Sequence, residues 1–432
     1  MDSTKPKQVL IVNVHSTMNA GDSALLWLNL RQLENIFPEA NFTALVNYPN
    51  EAFDEHFPKL VVMPSPFALV KAGSGISGWK KVFRLVFGFI IIVIGKVLPK
   101  SILTNTHSTW LQLALIYRSS DVIAAVSGAQ LVSYGKYSWP LIVSSLPIIF
   151  AHLFHKPLYI MPQSIGPFRW NWEKFLVKEI YSRARLVFLR DTISINLAKE
   201  IGMPEKKIRF SSDPGFTLPV SSGDQALKIM SGFGYETKQN SVGMTVVSRL
   251  SRSFDRDHIE SYYRTLARSL DRFSQVFAVK IYIFNQVTGP SIHENDSIAA
   301  EYLLNMLAEN QNRIIHVDQH LTPMELKACY SLMDMFIATR LHSGIFAMSE
   351  GVPTLFIGYN TKTRGILEAV GLDQWMVDLN NLDQDYFWEL LCKIWENRKE
   401  ISEKTRSIVT NCQKDFNRVS QWIAEDYINA RK

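Results

Sequence analysis

Cysteine is scarce in this chain of 432 residues. The three that occur, Cys329, Cys392 and Cys412, fall at no disulfide or metal-finger spacing. That excludes a disulfide scaffold and a cysteine-held zinc site, and leaves them as small buried residues of a reducing compartment. Long apolar runs are missing too. The longest, Leu85 to Ile94, falls well short of the roughly 20 residues of a spanning helix. The amino terminus, MDSTKPKQVLIVNVHS, carries no secretory leader, because its apolar stretch is short and immediately strand-like. A cytoplasmic protein is the expectation. No internal repeat, no long Lys/Arg block and no nucleic-acid-binding signature is present, so nucleic acid is not an expected partner. The loop after the first strand holds no GxGxxG, the dinucleotide fingerprint.

What is present is a globular balance, 47% hydrophobic and 20% charged. The length suits two or three domains, two being most natural for alternating α/β structure. A formal net charge of +6 and a pI near 9.0 favour anionic partners such as phosphorylated metabolites or membrane surfaces.

Gln8 to Val14 reads as a buried strand, rich in Val and Ile. The loop His15 to Ser23 follows, and Ala24-Leu25-Leu26-Trp27-Leu28 opens a helix that Asp22 or Ser23 is placed to cap. Asn19-Ala20-Gly21-Asp22 is a polar corner suited to close approach of a ligand. The plain alternative is that Gly21 makes the turn and Asp22 caps the helix. Further strands are expected at Phe42–Tyr48, Leu60–Met63, Asp121–Val126, Pro157–Pro162, Leu186–Leu189 and Ile208–Phe210. Most end in polar, Gly- or Pro-marked corners. Leu218 to Asp224, LPVSSGD, reads as a linker. A second series follows at Val242–Val247, Val279–Phe284, Ile314–Val317, Met335–Ala338 and Thr354–Gly358. From Gln384 onward the pattern is amphipathic helix.

The stretch 65–108 departs from this rhythm. Lys71, Lys80, Lys81 and Arg84 precede the apolar run from Leu85 to Ile94, and Lys96 and Lys100 follow it. Residues 83–100 suit a segment lying on an anionic membrane surface. A buried helix or a hydrophobic dimer face is the alternative.

The sharpest constellation is Asp334 to Lys362. A buried strand breaks at Thr339-Arg340-Leu341-His342-Ser343-Gly344, and a helix resumes. In an open parallel sheet, ligands bind outside the carboxyl ends of strands, where a helix start offers amides and partial positive charge. An arginine fork and an imidazole there suit a phosphate or carboxylate. Ordinary loop residues with local partners are the alternative.

Two such βα series resemble the GT-B architecture: two doubly wound Rossmann-like domains facing an interdomain cleft. Residues 1–217 form the expected amino-terminal domain, the acceptor side, with the insertion at 65–108. Residues 218–384 form the donor-side domain, and 385–432 the carboxy-terminal helices.

Several motifs in order resemble the polysaccharide pyruvyl transferase family. They are Asn19-Ala20-Gly21-Asp22, Gln163-Ser164-Ile165-Gly166-Pro167, Arg190-Asp191 with Ser194, Asp213-Pro214-Gly215-Phe216, and Arg340-Leu341-His342-Ser343 followed by Gly351-Val352-Pro353, Gly358-Tyr359 and Lys362. One departure is Ser127-Gly128-Ala129-Gln130, where the family often has a glycine triplet followed by an Asp. It bears on the acceptor side.

The resemblance implies transfer of a pyruvyl group from phosphoenolpyruvate to two hydroxyls of a saccharide, free or lipid-linked, as a cyclic ketal with release of phosphate. Phosphoenolpyruvate is a co-substrate; no cofactor or metal is required. Arg340, Ser343, Gly344 and Lys362 are then expected to hold the donor, with Arg249 and Arg252 in reach of the same anion unless they are solvent-exposed loop arginines. His342 is the expected general acid or base, since an imidazole changes charge near neutral pH. Asp22 is the second candidate, acting on the acceptor. Asn19, Gln163 and Gln286 are expected to contact acceptor, though a strand-end Gln is often structural. The setting is surface or exopolysaccharide biosynthesis, in the cytoplasm or at the inner membrane face. One alternative is a GT-B glycosyltransferase using a nucleotide sugar, with Glu350 or Glu368 as its ribose carboxylate. Another is a non-catalytic polysaccharide-assembly protein.

Overall fold

The structure is a computed structural model that describes residues 6–68, 78–133, 138–247, 256–307 and 312–430. It divides into two compact units. The first holds Met1–Thr17, Leu25–Ser211 and Asn417–Lys432; the second holds Met18–Ala24 and Ser212–Phe416.

Among the described residues, the first unit is built on seven parallel strands: β1 (Gln8–Val14), β2 (Asn41–Val46), β3 (Leu60–Pro64), β4 (Val122–Ala125), β5 (Leu158–Gln163), β6 (Leu186–Leu189) and β7 (Ile208–Phe210). Their order is β3-β2-β1-β4-β5-β6-β7. The second unit has six: β8 (Ser241–Thr245), β9 (Lys280–Phe284), β10 (Ile314–Val317), β11 (Met335–Ala338), β12 (Thr354–Gly358) and β13 (Met376–Asp378), in the order β10-β9-β8-β11-β12-β13. In each sheet the order reverses beside its first strand, which marks a switch point of the doubly wound fold. β4, β5, β6, β8, β11 and β12 are buried along their whole length. Helices cover both faces, so these strands read as unbroken apolar runs rather than alternation. The two-domain, GT-B-like α/β class read from the sequence is the fold observed. The edge strand β13, three residues long, left no recognisable pattern.

The division differs from the expected one. The break falls between Ser211 and Ser212, not after residue 217. Leu218 is buried, its carbonyl accepts from Lys327 Nζ at 2.5 Å, and Ser222 caps the helix Gly223–Ser231. The expected linker is therefore part of the second unit, anchored at Leu218 and at the Ser222 cap, with most of its other residues exposed. Nor do the carboxy-terminal helices stand apart. Phe387, Leu391, Ile394 and Trp395 belong to the second core. The last helix, Arg398–Asn429, ends in the first unit, where Asp426 accepts from Tyr159 Oη at 2.8 Å and Arg185 Nε at 2.9 Å.

In the insertion, Gly78–Val97 forms one helix of 20 residues, followed by the helix Thr109–Ser119; Lys71 lies outside the described residues. Among the described residues no helix is long and apolar enough to cross a membrane. The cysteines are free, and burial pushes the Cys329 thiol up to about 12 and the Cys412 thiol up to about 11, which makes both poor nucleophiles.

Candidate active site

The corner after β11 is held from beneath. Arg340 is the extended residue that precedes the helix Leu341–Ser349. Ser343 is fully buried. Its hydroxyl donates to the Arg340 carbonyl at 2.7 Å and lies 2.7 Å from Thr245 Oγ1, at the end of β8. Gly344 is a packing residue: a Cβ there would stand 2.2 Å from the Phe356 ring and 2.8 Å from Ala338 Cβ. Its amide donates to the Arg340 carbonyl at 3.3 Å. Ser343 and Gly344 thus set the helix start against the sheet, with the Ser343 hydroxyl buried and no room for a side chain at Gly344.

Arg340 has a partner that the sequence reading did not single out. Its Nε and Nη2 donate to Asp296 Oδ1 at 3.2 and 2.5 Å. The other oxygen, Oδ2, accepts from the amides of Gln286 and Val287 at 3.1 and 2.9 Å. Asp296 is fully buried. Burial alone would lower the Arg340 pKa, but the Asp296 charge overrides it and holds the guanidinium above its ordinary range. The pair is electrically balanced, and the fork is fixed in direction.

His342 sits between two elements. Its Nε2 lies 3.9 Å from Asp213 Oδ2, with the imidazole 13% exposed and the carboxylate fully buried. That distance is beyond a hydrogen bond and within ion-pair range. Asp213 is itself fixed, because its Oδ1 accepts from the Gly215 amide at 2.8 Å. On the other side, the ring lies on Gly21: a Cβ added there would fall 2.2 Å from Nδ1 and 2.7 Å from Cγ of His342. The imidazole is thus wedged against Gly21 and within ion-pair range of a buried carboxylate, a setting that suits a group able to carry a proton.

The loop Met18–Ala24 belongs with these residues in the second unit, not with the acceptor-side domain as expected. Asn19 bridges Val287, the Ala20 amide donates to the Gln286 carbonyl at 3.0 Å, and the Thr288 amide donates to the Met18 carbonyl at 2.8 Å. These backbone bonds tie the loop to the segment after β9. The helix Ala20–Ile36 is capped by Asn19, whose Oδ1 accepts from the amides of Gly21 and Asp22 at 3.0 and 3.3 Å. Asp22 or Ser23 was expected there. Gly21 has no left-handed backbone to accommodate; the imidazole is what requires its missing side chain. Asp22 lies half-buried in the first helical turn.

Of the remaining candidates among the described residues, Gln286 stays with this corner and the others do not gather there. Gln286 is buried, and its Oε1 accepts from Tyr330 Oη at 2.9 Å, while Nε2 is a buried donor without a partner. Lys362 stands half-buried in the first turn of the helix Thr361–Val370. Arg249 and Arg252 lie outside the described residues. Gln163, in the first unit, is fully buried. It donates to the Val126 carbonyl at 2.8 Å and accepts from Tyr181 Oη at 3.1 Å, so its amide ties β4 to β5. Asp191 caps the helix Thr192–Glu200 by accepting from the Ser194 amide at 2.7 Å. Glu350 is paired with the buried Lys327 at 3.0 Å. The structure thus brings together Arg340, His342, Gln286 and the Asn19–Asp22 loop. It adds Asp213, legible only as a turn motif, and Asp296, which carried no local signal because its partner is distant in sequence.

Residues 19–361 match the family described as polysaccharide pyruvyl transferase. A curated relative, the amylovoran biosynthesis protein AmsJ of Erwinia amylovora, is 22% identical over 280 residues, 61% of this chain and 65% of that protein's own length. Among solved structures, Anabaena HepE in complex with UDP-glucose has a TM-score of 0.59 at 12% identity, covering 98% of this chain and 99% of that one. The UDP-GlcNAc 2-epimerase of Neisseria meningitidis bound to UDP-GlcNAc has a TM-score of 0.59 at 13% identity, covering 98% and 100%. At those identities the solved structures establish the fold alone. The family match covers most of the chain, including the loop at Asn19 and the corner at Arg340 and His342: this chain belongs to the polysaccharide pyruvyl transferase family.

Proposed function

We propose that this protein transfers the pyruvyl group of phosphoenolpyruvate to two hydroxyls of a saccharide, forming a cyclic ketal and releasing phosphate. Family membership supports the transferase class and the polysaccharide setting, and the relative AmsJ, named for amylovoran biosynthesis, points the same way. The observation that carries the site assignment is His342, oriented between Gly21 and the buried Asp213 beside the fixed Arg340 fork.

The chemistry assigns work to these groups. The donor's methylene carbon must gain a proton, which makes the neighbouring carbon electrophilic. A sugar hydroxyl adds to that carbon and loses its proton. The bond from that carbon to the phosphate oxygen breaks, and a second hydroxyl closes the ring. One hydroxyl proton balances the new methyl group, and the other leaves with phosphate. His342, with the Asp213 carboxylate within ion-pair range of its Nε2, is the proton carrier in this proposal. Arg340 Nη1, the amides at the start of Leu341–Ser349 and Lys362 hold the anionic donor. Asp22 lies one residue from Gly21 and is the second candidate base.

The test is direct. The full chain with phosphoenolpyruvate and a panel of saccharide acceptors should release phosphate and give a product with the mass of a pyruvate ketal. His342→Ala should lower turnover by about 100-fold or more while donor binding persists. Full turnover in His342→Ala would overturn the assignment.

A further inference from the structure

The helix Gly78–Val97 is apolar on two faces, and among the described residues only one of them is covered. The inner face is locked. Gly88 and Gly95 lie two turns apart, and a Cβ at either would stand 2.5 Å from the Trp110 ring or 2.6 Å from Ala114 Cβ. Between them Ile92 is fully buried. This close approach to the helix Thr109–Ser119 fixes which side points inward. Phe89 also reaches back, with its ring 5.7 Å from that of Phe150.

The outer face is left open. Ten large apolar side chains of this one helix are exposed, among them Phe83 at 63%, Phe87 at 52%, Ile90 at 50% and Val97 at 79%. At 100° per residue these ten positions span an arc of about 160° without a polar side chain. Their exposed area is on the order of 1000 Å², above the few hundred Å² of the largest apolar patch on an ordinary monomer.

Charge decides what covers it. Between Glu55 and Asp121 the chain contains no acidic residue. Lys80, Arg84 and Lys100 are exposed around the patch, whereas Lys96 turns toward His155, 3.4 Å away. A second copy of this chain docked face to face would set this positive rim against itself, because a two-fold interface pairs identical surfaces. An anionic bilayer offers the opposite charge at the rim and an apolar layer for the face.

We propose that the outer face of Gly78–Val97 seats the protein on an anionic lipid bilayer, the helix lying in the plane of the interface. The inner packing holds this helix to the first unit, so binding presents a preformed face and needs no unfolding. A saccharide displayed at that surface on a lipid becomes the natural acceptor class, a clause that rests on the proposed pyruvyl transfer. The seat itself does not depend on that reaction, and vesicle binding is read without substrate.

The experiment is flotation of the full chain with vesicles of phosphatidylcholine alone and of phosphatidylcholine mixed with phosphatidylglycerol. Binding to the mixed vesicles, reduced by raised salt, is the expected result. The triple variant Phe83→Ser, Phe87→Ser, Ile90→Ser should bind about 100-fold more weakly while remaining folded, its melting temperature lowered by only a few degrees because half or more of each side chain faces outward. The variant Lys80→Glu, Arg84→Glu, Lys100→Glu, which leaves the apolar face intact, should lose about tenfold or more on anionic vesicles only. No flotation of the parent chain, or equal flotation of the parent and both variants, overturns the proposal. So does a dimer in sedimentation velocity that the serine variant dissolves while vesicles are ignored.

Discussion

Gly21→Ala is the most informative single change, because ordinary helix rules and this structure predict opposite outcomes. Gly21 lies in the first turn of the helix Ala20–Ile36 with an unstrained backbone. Replacing a helical glycine with alanine usually stabilises by up to about 1 kcal/mol. Here the new Cβ would stand 2.2 Å from His342 Nδ1, 2.7 Å from Cγ and 3.0 Å from Cβ. Ordinary contact needs about 3.4 Å or more, so the imidazole or the loop must move by about 1 Å. The Asn19 cap and the backbone bonds to Gln286 and Thr288 resist movement of the loop, which leaves the ring to give way. Overpacking of this kind costs about 1–3 kcal/mol, and a 1 Å misplacement of a reacting group costs about 100-fold in rate. A double-mutant cycle isolates the contact without any substrate. Urea melts should show Gly21→Ala destabilising the parent chain by about 2 kcal/mol, and neutral or stabilising in a His342→Ala background. An equal effect of Gly21→Ala in both backgrounds would refute the contact, and parent-like turnover in the single variant would refute the placement of His342 in the chemistry.

The other expectations follow from neighbouring contacts. Asp296→Ala leaves the half-buried Arg340 without its counter-charge and the amides of Gln286 and Val287 without an acceptor; a loss of about 3–5 kcal/mol in denaturant melts is expected, and a loss below about 1 kcal/mol would contradict the pairing. Gly344→Ala, with its Cβ 2.2 Å from the Phe356 ring, should lower stability by about 1–3 kcal/mol or more despite the helical gain. His152 and His316 both have pKa values lowered by burial. Each binds its proton more weakly folded than unfolded, so as pH falls below the ordinary imidazole value the unfolded chain takes up protons first. Their stability contribution is complete above about pH 6.5 and is lost on acidification. Melting temperature should drop between pH 7 and pH 5, and His316→Gln should flatten that slope; an unchanged slope would count against a neutral buried His316.

The fold was legible because its signals are local. A strand buried on both faces, such as Leu186–Leu189 or Met335–Ala338, must be apolar throughout, and the corners after it carry turn residues. The strand-to-helix corner that carries Arg340 and His342 was legible for the same reason, as a polar break between two apolar runs. What the sequence did not show is which atoms those residues face. Asp296 and Arg340 are distant in the chain and meet only through the order of β9, β8 and β11. Asp213 was visible as a turn residue, which it is, since it caps the short helix Pro214–Thr217. Its other oxygen beside His342 is a tertiary fact. Ser343, Gly344 and Gln163 looked like ligand contacts because they stand at strand ends. Their burial and packing show that motif residues also hold the scaffold together. Unit membership of the Asn19 loop was likewise beyond local reading, because backbone bonds to Gln286 and Thr288 decide it.

The central claim is tested most directly by calorimetric binding of phosphoenolpyruvate to the parent chain and to Arg340→Met, beside a panel of nucleotide sugars. The account predicts that phosphoenolpyruvate binds, that nucleotide sugars do not, and that Arg340→Met, less stable for want of the Asp296 pair, loses binding at a temperature where its melting curve shows it still folded. Binding of a nucleotide sugar with no response to phosphoenolpyruvate would contradict it and make the protein a sugar-nucleotide enzyme on the same fold.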